Sequence, residues 1–150
     1  MANTYTSLNF HITFSTKQRQ HWLMPDIENR VWEYLGGIAK QNGMRPHRVG
    51  GIADHVHVVV SLPPTLAVSK SVQLLKGGAS KWIHETFPHM AGFAWQDGYG
   101  AFTVSESVLP QVVEYIGNQR EHHSRHTFQE EFLSLLAKHG LQHDERYVWG

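Results

Sequence analysis

The sequence predicts an α+β fold in which four strands and two helices follow the order β-α-β-β-α-β, with further helices at the C-terminus. Short segments of alternating apolar and polar residues indicate strands, and longer segments with apolar residues at helical spacing indicate helices. Glycine and proline residues separate many of these segments. This order is typical of the ferredoxin-like (RRM-like) antiparallel sheet with helices on one face, in which the first and third strands are central.

The first two elements are a strand and a helix. Residues 8–14 alternate between apolar and polar types, as expected of a strand with one buried face. A helix can begin near Pro25, and its apolar residues keep helical spacing until Asn42-Gly43, a pair that favours a helix end.

A β-hairpin follows this helix. Residues 44–52 predict its first strand, and a short turn at residues 53–54 leads into a second strand that begins at His55. The prolines at 63–64 end that strand, which we expect in the middle of the sheet.

The second half of the chain completes the pattern. Thr65 is the expected N-cap of a helix that extends to Ile83. The glycines at 77–78 cost about 1 kcal/mol each relative to alanine, so they indicate either a break or the close approach of another backbone. The remaining elements are a strand over residues 101–105, a helix from about Ser107 and a last helix over residues 128–138.

The composition indicates one folded domain spanning residues 1–150. Hydrophobic residues make up 41% of the chain and charged residues 17%, which is ordinary for a protein with a buried core. Cysteine is absent, which excludes disulfides and thiolate metal sites. With neither a signal-peptide pattern nor a long apolar run, a cytoplasmic location is expected.

The net charge of zero conceals an uneven distribution. Residues 1–81 contain nine lysines and arginines but only four acidic residues, and the remainder is correspondingly acidic. A basic half can bind a polyanion such as nucleic acid, although the same asymmetry occurs in proteins that bind nothing charged.

Two histidines, His55 and His57, occupy alternate positions of the third predicted strand. Because side chains alternate along a strand, both imidazoles face one side while Val56, Val58 and Val60 face the core. Imidazoles at this spacing suit a divalent metal. Since the chain has 12 histidines, simple tolerance at these positions is the other interpretation.

A second group of polar residues lies on the helix predicted from about Ser107. Tyr115 and Gln119 are four residues apart and project from one helix face, with His122 near the same stripe. A tyrosine hydroxyl becomes a nucleophile once it loses its proton, which a nearby divalent metal favours. The oxygen of Gln119 is a possible third ligand for Mg²⁺ or Mn²⁺, although imidazoles also accept Zn²⁺. An amphipathic helix without catalytic function is the alternative.

Four segments carry a resemblance to a known family: residues 54–57 (DHVH), 75–82 (LKGGASKW), 95–102 (WQDGYGAF) and 115–119 (YIGNQ), the last followed by His122-His123. In this order they resemble the HUH endonucleases. More closely, they are similar to the single-tyrosine transposases of IS-200-type bacterial insertion sequences, which include the REP-associated tyrosine transposases.

The resemblance implies a metal-dependent single-strand DNA endonuclease and strand transferase that acts in DNA transposition and recombination. His55, His57 and Gln119 would bind Mg²⁺ or Mn²⁺. Tyr115 would attack the scissile phosphate to leave a 5′-phosphotyrosine and a free 3′-hydroxyl, without ATP. The implied substrate is single-stranded DNA with subterminal hairpins. The implied assembly is a homodimer with composite active sites, in which Tyr115 serves its own or its partner's histidines.

Other residues are candidates for supporting roles. His122 is a possible accessory residue of the active site, as a proton shuttle, ligand or phosphate contact, and His123 is a weaker candidate. Basic side chains can anchor DNA phosphates, although each is equally compatible with a solvated surface charge. The candidate DNA contacts are Arg45, Arg48, Lys76, Lys81 and Arg120.

Three other functions stay open. A domesticated relative acting on repeated chromosomal sequences would share the same motifs. A non-catalytic nucleic-acid-binding module on this sheet would be expected to carry aromatic residues on its central strands, where this chain has histidines. A zinc hydrolase built on His55 and His57 lacks a suitably placed carboxylate, because Asp54 is expected to point to the opposite face of the sheet.

Overall fold

The computed structural model describes residues 3–150, and its sheet has the predicted topology. The four antiparallel strands are β1 (Asn9–Ser15), β2 (Arg45–Ile52), β3 (His55–Ser61) and β4 (Gly100–Val104), in the order β2-β3-β1-β4. The helices are α1 (Glu28–Gln41), α2 (Val68–Thr86), α3 (Leu109–Gly117), α4 (Gln119–His122) and α5 (Phe128–Lys138). Short 3-10 turns lie at Lys17–Arg19 and Pro88–Met90.

The main hydrophobic core lies between one face of the sheet and helices α1 and α2. It is formed by Ile12 and Phe14 of β1, Val56, Val58 and Val60 of β3, Val31 and Leu35 of α1, and Leu75 and Ile83 of α2. Burying one such aliphatic side chain contributes about 1.5–3 kcal/mol. The alternation predicted for the first and third strands is thereby confirmed. The histidines of β3 lie on the opposite face of the sheet.

Helices α3, α4 and α5 cover that opposite face. A smaller apolar cluster fixes α3 across the sheet and includes Val59, Val104, Leu109 and Ile116. At Gly50 of β2, a Cβ atom would lie 2.9 Å from the carbonyl oxygen of Ile116. This close approach requires glycine, and it sets the position of the residue before Ile116, which is Tyr115.

Two details of α2 differ from, or refine, the sequence-based expectation. The helix begins at Val68 rather than at Thr65, because the segment before it forms a turn in which the amide of Leu66 donates to the carbonyl of Pro63. The helix continues through Gly77 and Gly78 without a break. Gly78 is the site of close approach, since a Cβ there would lie 2.8 Å from Cδ1 of Ile38 in α1.

Among residues 3–150, no helix combines the length and the apolar character needed to cross a bilayer.

Candidate active site

The two strand histidines are buried on the face covered by α3–α5, and each has its Nδ1 atom engaged. Nδ1 of His55 lies 2.7 Å from Oδ1 of Asp54, and Nδ1 of His57 lies 2.7 Å from Nε2 of His11. These contacts fix the orientation of the rings so that both Nε2 atoms point into the same space.

The expectation that Asp54 points to the opposite face is wrong. Asp54 belongs to the turn before β3, where the alternation of the strand does not apply, and its carboxylate reaches back to the ring of His55. The Asp54 carboxyl has a lowered pKa: burial would raise the pKa, but the hydrogen bond and charge of His55 outweigh burial.

A carboxylate that the sequence analysis missed lies at the centre of the site. Glu131 of α5 is almost fully buried, and its Oε1 lies 2.9 Å from Nε2 of His57 and 3.5 Å from Nε2 of His55. Its Oε2 accepts a hydrogen bond from the hydroxyl of Tyr115 and one of 3.2 Å from the amide of Gln119. One oxygen therefore faces the histidines and the other faces the tyrosine.

A sequence signal for Glu131 does exist. Thr127 and Glu130 form a capping box that fixes the start of α5. Glu131 follows Phe128 by three residues, so both lie on the helix face that packs against the sheet, where Phe128 stacks on His55. A carboxylate on an otherwise apolar helix face is unusual unless it has partners.

Tyr115 and Gln119 converge on this carboxylate from two separate helices. The chain departs from helical geometry at Asn118 (φ −104°, ψ 24°), so the continuous helix expected from the sequence is divided into α3 and α4. Both side chains nevertheless reach the site, and Oε1 of Gln119 lies 3.0 Å from Nε2 of His55. Burial and the adjacent carboxylate of Glu131 raise the pKa of Tyr115 well above its usual value.

The ligand atoms of the site suit a divalent cation. With Nδ1–H of His55 donating to Asp54, Nε2 of His55 presents a lone pair to the oxygen of Gln119. Two acceptors that face each other at hydrogen-bond distance need a cation or a shared proton between them. His55, His57, His123 and Glu131 each offer a ligand atom, and these atoms all lie within 4.8 Å of one another.

His122 and His123 both lie at the site. His123, the weaker candidate from the sequence, makes the closer contact with Glu131. His123 is the buried member, and its Nε2 lies 3.2 Å from Oε1 of Glu131. His122 packs its ring against Tyr115, with centroids 5.4 Å apart, and its buried Nε2 has no hydrogen-bond partner among residues 3–150.

Several charges act on Glu131 itself. Burial alone would raise the pKa of this carboxyl, but hydrogen bonds from His123 and His57 hold the pKa far below its usual range. Glu131 is therefore an anion in this site, and it balances the positive charge that the histidines or a bound cation bring.

The five basic candidates lie apart from the cluster, and none forms an ion pair or hydrogen bond with it among residues 3–150. Arg120 pairs with Glu28 of α1. The ammonium of Lys76 donates to the carbonyls of Gln96 and Gly98, at 2.7 and 3.0 Å. Lys81 is exposed on α2, in the layer on the other side of the sheet.

The remaining two candidates lie on β2. Arg45 is exposed at the start of the strand, paired in register with Ser61 at the end of β3 that is remote from His55. The guanidinium of Arg48 lies beside Gly117, where α3 ends. Arg48 is thus the strand cation closer to the helix that carries Tyr115.

This fold, with paired histidines on a central strand and a tyrosine on a covering helix, defines the class of protein, and comparison with known families agrees. Residues 4–119 match the family described as "Transposase IS200 like". The chain belongs to this family of IS200-like tyrosine transposases. The match includes Tyr115 and Gln119 but ends before His123 and Glu131.

Two transposases are similar to the chain in sequence. The ISDra2 transposase TnpA of Deinococcus radiodurans is 29% identical over 119 residues, which span 76% of this chain and 85% of that protein. The transposase for insertion sequence element IS200 of Salmonella typhimurium is 26% identical over 126 residues, or 81% of this chain and 82% of that protein.

Two solved structures share the fold. A candidate transposase from Deinococcus radiodurans superimposes with a TM-score of 0.65 at 29% identity, covering 79% of this chain and 96% of that one. A REP-associated tyrosine transposase bound to a REP hairpin gives a TM-score of 0.59 at 13% identity, covering 82% and 74%. At that identity the second likeness shows the fold alone.

Proposed function

We propose that this chain nicks and rejoins single-stranded DNA, with Tyr115 as the nucleophile and a 5′-phosphotyrosine as the intermediate. One observation carries the proposal: the hydroxyl of Tyr115 is hydrogen-bonded to Glu131, which also contacts the nitrogen atoms of His55 and His57. A nucleophile and a set of metal ligands thus share one carboxylate.

The proposed metal ligands are His55, His57 and Gln119, to which the structure adds Glu131 and His123 as candidates. These nitrogen and oxygen donors fit Mg²⁺ or Mn²⁺ when a phosphate oxygen is a further ligand. A bound cation would polarise the scissile phosphate and stabilise the negative charge that develops on it.

The residues of the chain would handle the proton and the new bond. The O–H bond of Tyr115 breaks, and Glu131 is placed to receive the proton at Oε2. A bond forms between the tyrosine oxygen and phosphorus, the bond from phosphorus to the 3′ oxygen breaks, and the 3′ oxygen takes a proton from water. Attack by a 3′-hydroxyl on the phosphotyrosine reverses these steps, so rejoining needs no ATP.

We further propose single-stranded DNA with a hairpin as substrate and a homodimer as the working unit. The histidines, Tyr115, Gln119 and Glu131 all come together within one chain. An active site contained in a single subunit is therefore sterically complete, and exchange of α3 between subunits is a second arrangement that dimerisation permits. Arg45, Arg48, Lys76, Lys81 and Arg120 stay candidate DNA contacts.

A covalent-adduct assay tests the proposal. Labelled single-stranded DNA with a hairpin is incubated with the protein and Mg²⁺ or Mn²⁺, and denaturing electrophoresis detects protein-linked DNA. We expect an adduct with the native protein and with Tyr34→Phe, whose tyrosine stacks on Trp82 in the other layer. Tyr115→Phe should form none. An adduct in Tyr115→Phe would contradict the assignment, and cleavage without any adduct would indicate water as the nucleophile.

A further inference from the structure

A cavity of about 570 Å³ opens beside Tyr115 and shares Glu131 with the cluster of metal ligands. Helices α3 and α5 form its sides, and β4, an edge strand of the sheet, forms its floor. Tyr115 and Glu131 are among its lining residues, so the cavity adjoins the place of the proposed reaction. The roles proposed above leave this space unused.

The size of the cavity limits what it can hold. Pockets for small organic ligands commonly measure about 300–1,000 Å³. A volume near 570 Å³ therefore accommodates one nucleoside, with its sugar and base, but not a base-paired hairpin.

The walls suit a flat, largely apolar ring. Val112 of α3 and Leu135 of α5 face the space from its two sides, and Phe102 lies in the floor. Phe102 already stacks on the ring of His139, with centroids 4.6 Å apart and planes inclined by 21°. The exposed ring of His139 therefore offers a stacking surface for a nucleobase, and such stacking does not require one particular base.

Some of the polar lining residues match the polar parts of a nucleotide, and the carboxylates of Glu130 and Glu131 also border the cavity. Gln111 of α3 and Ser134 of α5 supply donors and acceptors for the edge of a base. Lys138 lies at the C-terminal end of α5 and adds a positive charge that complements a phosphate. An apolar slot with these groups fits single-stranded DNA better than an uncharged ligand.

We infer that this cavity receives the base of the nucleotide on the 3′ side of the scissile phosphate, which stays joined to Tyr115 after cleavage. The inference rests on the proposed function. The 5′-phosphate of that nucleotide would be esterified to the Tyr115 oxygen, which borders the cavity, so its sugar and base need a neighbouring space. Holding the base there would keep the covalently attached DNA end fixed until a 3′-hydroxyl arrives.

Removal of single bases from the DNA tests this inference without the chemical step. The protein is Tyr115→Phe, and the ligand is hairpin DNA that lacks the base on either the 3′ or the 5′ side of the scissile phosphate. Loss of the 3′ base should weaken binding about fivefold or more, as expected when one stacked base is lost. Loss of the 5′ base should have a smaller effect.

A second substitution connects the effect to the cavity. Ser134→Trp places a bulky ring in the cavity from an exposed helix position. This variant should therefore bind hairpin DNA equally well with and without the 3′ base. Ala137 lies on the same helix but outside the lining of the cavity. Ala137→Trp should therefore lose as much DNA affinity on removal of the 3′ base as the protein without this substitution. Thermal unfolding of both variants verifies that they are folded.

Three results would overturn the inference. Removal of the 3′ base could leave DNA affinity unchanged, removal of the 5′ base could lower it equally, or Ser134→Trp could lose as much affinity without the 3′ base as the protein without this substitution. A changed sedimentation coefficient of Ser134→Trp without any effect of the base would mean that a second copy of the chain covers the cavity, which also overturns it. Failure of the native protein to form an adduct would instead count against the proposed function, so the two failures are distinguishable.

Discussion

Substitution of Glu131 by glutamine is the sharpest test of the site, because it removes one negative charge and leaves the shape of the side chain. Glu131 is almost fully buried, and its Oε1 contacts His57, His123 and His55 at 2.9, 3.2 and 3.5 Å. A neutral amide oxygen in that position is a much weaker ligand for a hard divalent cation than a carboxylate.

The magnitude follows from the contacts. Loss of even a residue that only orients a metal ligand typically weakens metal binding 10- to 100-fold. Glu131 contacts three candidate ligands directly, so we expect Glu131→Gln to raise the Mn²⁺ dissociation constant by about 100-fold, equivalent to about 2.7 kcal/mol. The rate of adduct formation should fall as well, since the amide of the variant cannot accept the proton of Tyr115 as a carboxylate does.

Isothermal titration of the DNA-free protein with MnCl₂ measures the affinity independently of catalysis. The matched control is Glu130→Gln, which removes the same charge one residue earlier at an exposed position. Glutamine also serves at this position of a capping box, so α5 should keep its start. If Glu131→Gln binds Mn²⁺ as tightly as the native protein while Tyr115→Phe abolishes the adduct, the metal lies elsewhere and the role of Glu131 is wrong.

Three further predictions address the supports of the site. Asp54→Asn removes the charge that orients His55 and should weaken Mn²⁺ binding at least tenfold by titration; unchanged affinity would contradict the orienting role. Gly50→Ala should lower the free energy of unfolding in urea by about 1–3 kcal/mol and slow the adduct reaction, whereas Gly77→Ala, with open space around it, should do neither. In metal-free protein, His11 is buried and its pKa is lowered from 6.5 to about 3 by burial and by the charge of His57, so the unfolded chain binds more protons below pH 6.5. Stability should therefore fall with decreasing pH below about 6.5, by up to about 1.4 kcal/mol per pH unit from this residue, and a slope unchanged in His11→Asn would contradict that assignment.

The fold could be predicted from the sequence because its signals are local. Alternation in β1 and β3, helical spacing in α1 and the break at Gly43 depend only on near neighbours in the chain, and all appear in the structure. The start of α2 was missed because the turn at Pro63 competes with Thr65 for the same residues. The assignment of residues 1–150 to a single domain stays a prediction.

The site was only partly predictable, for reasons of distance along the chain. His55, His57, Tyr115 and Gln119 were assigned to the site through the family resemblance, because the spacing of each pair alone left another interpretation open. Glu131 contributes through a contact between residues 74 positions apart; its place on an apolar helix face indicates that it has a buried partner but does not identify His57 as that partner. His11 was likewise invisible as a partner of His57, since the pairing of β1 with β3 has to be known before the two rings can be placed together.

The position of Glu131 gives α5 a role beyond that of a C-terminal extension. The family match ends at residue 119, yet the carboxylate that contacts both strand histidines and the tyrosine comes from residue 131. Burial, together with Glu131, which accepts the hydroxyl hydrogen, raises the pKa of Tyr115, so the metal-free site holds the tyrosine protonated. A cation bound at Oε1 would draw the negative charge of the carboxylate away from Tyr115 and favour its deprotonated form. Through the side chain of Glu131, the protonation state of Tyr115 would depend on whether the histidines bind a metal.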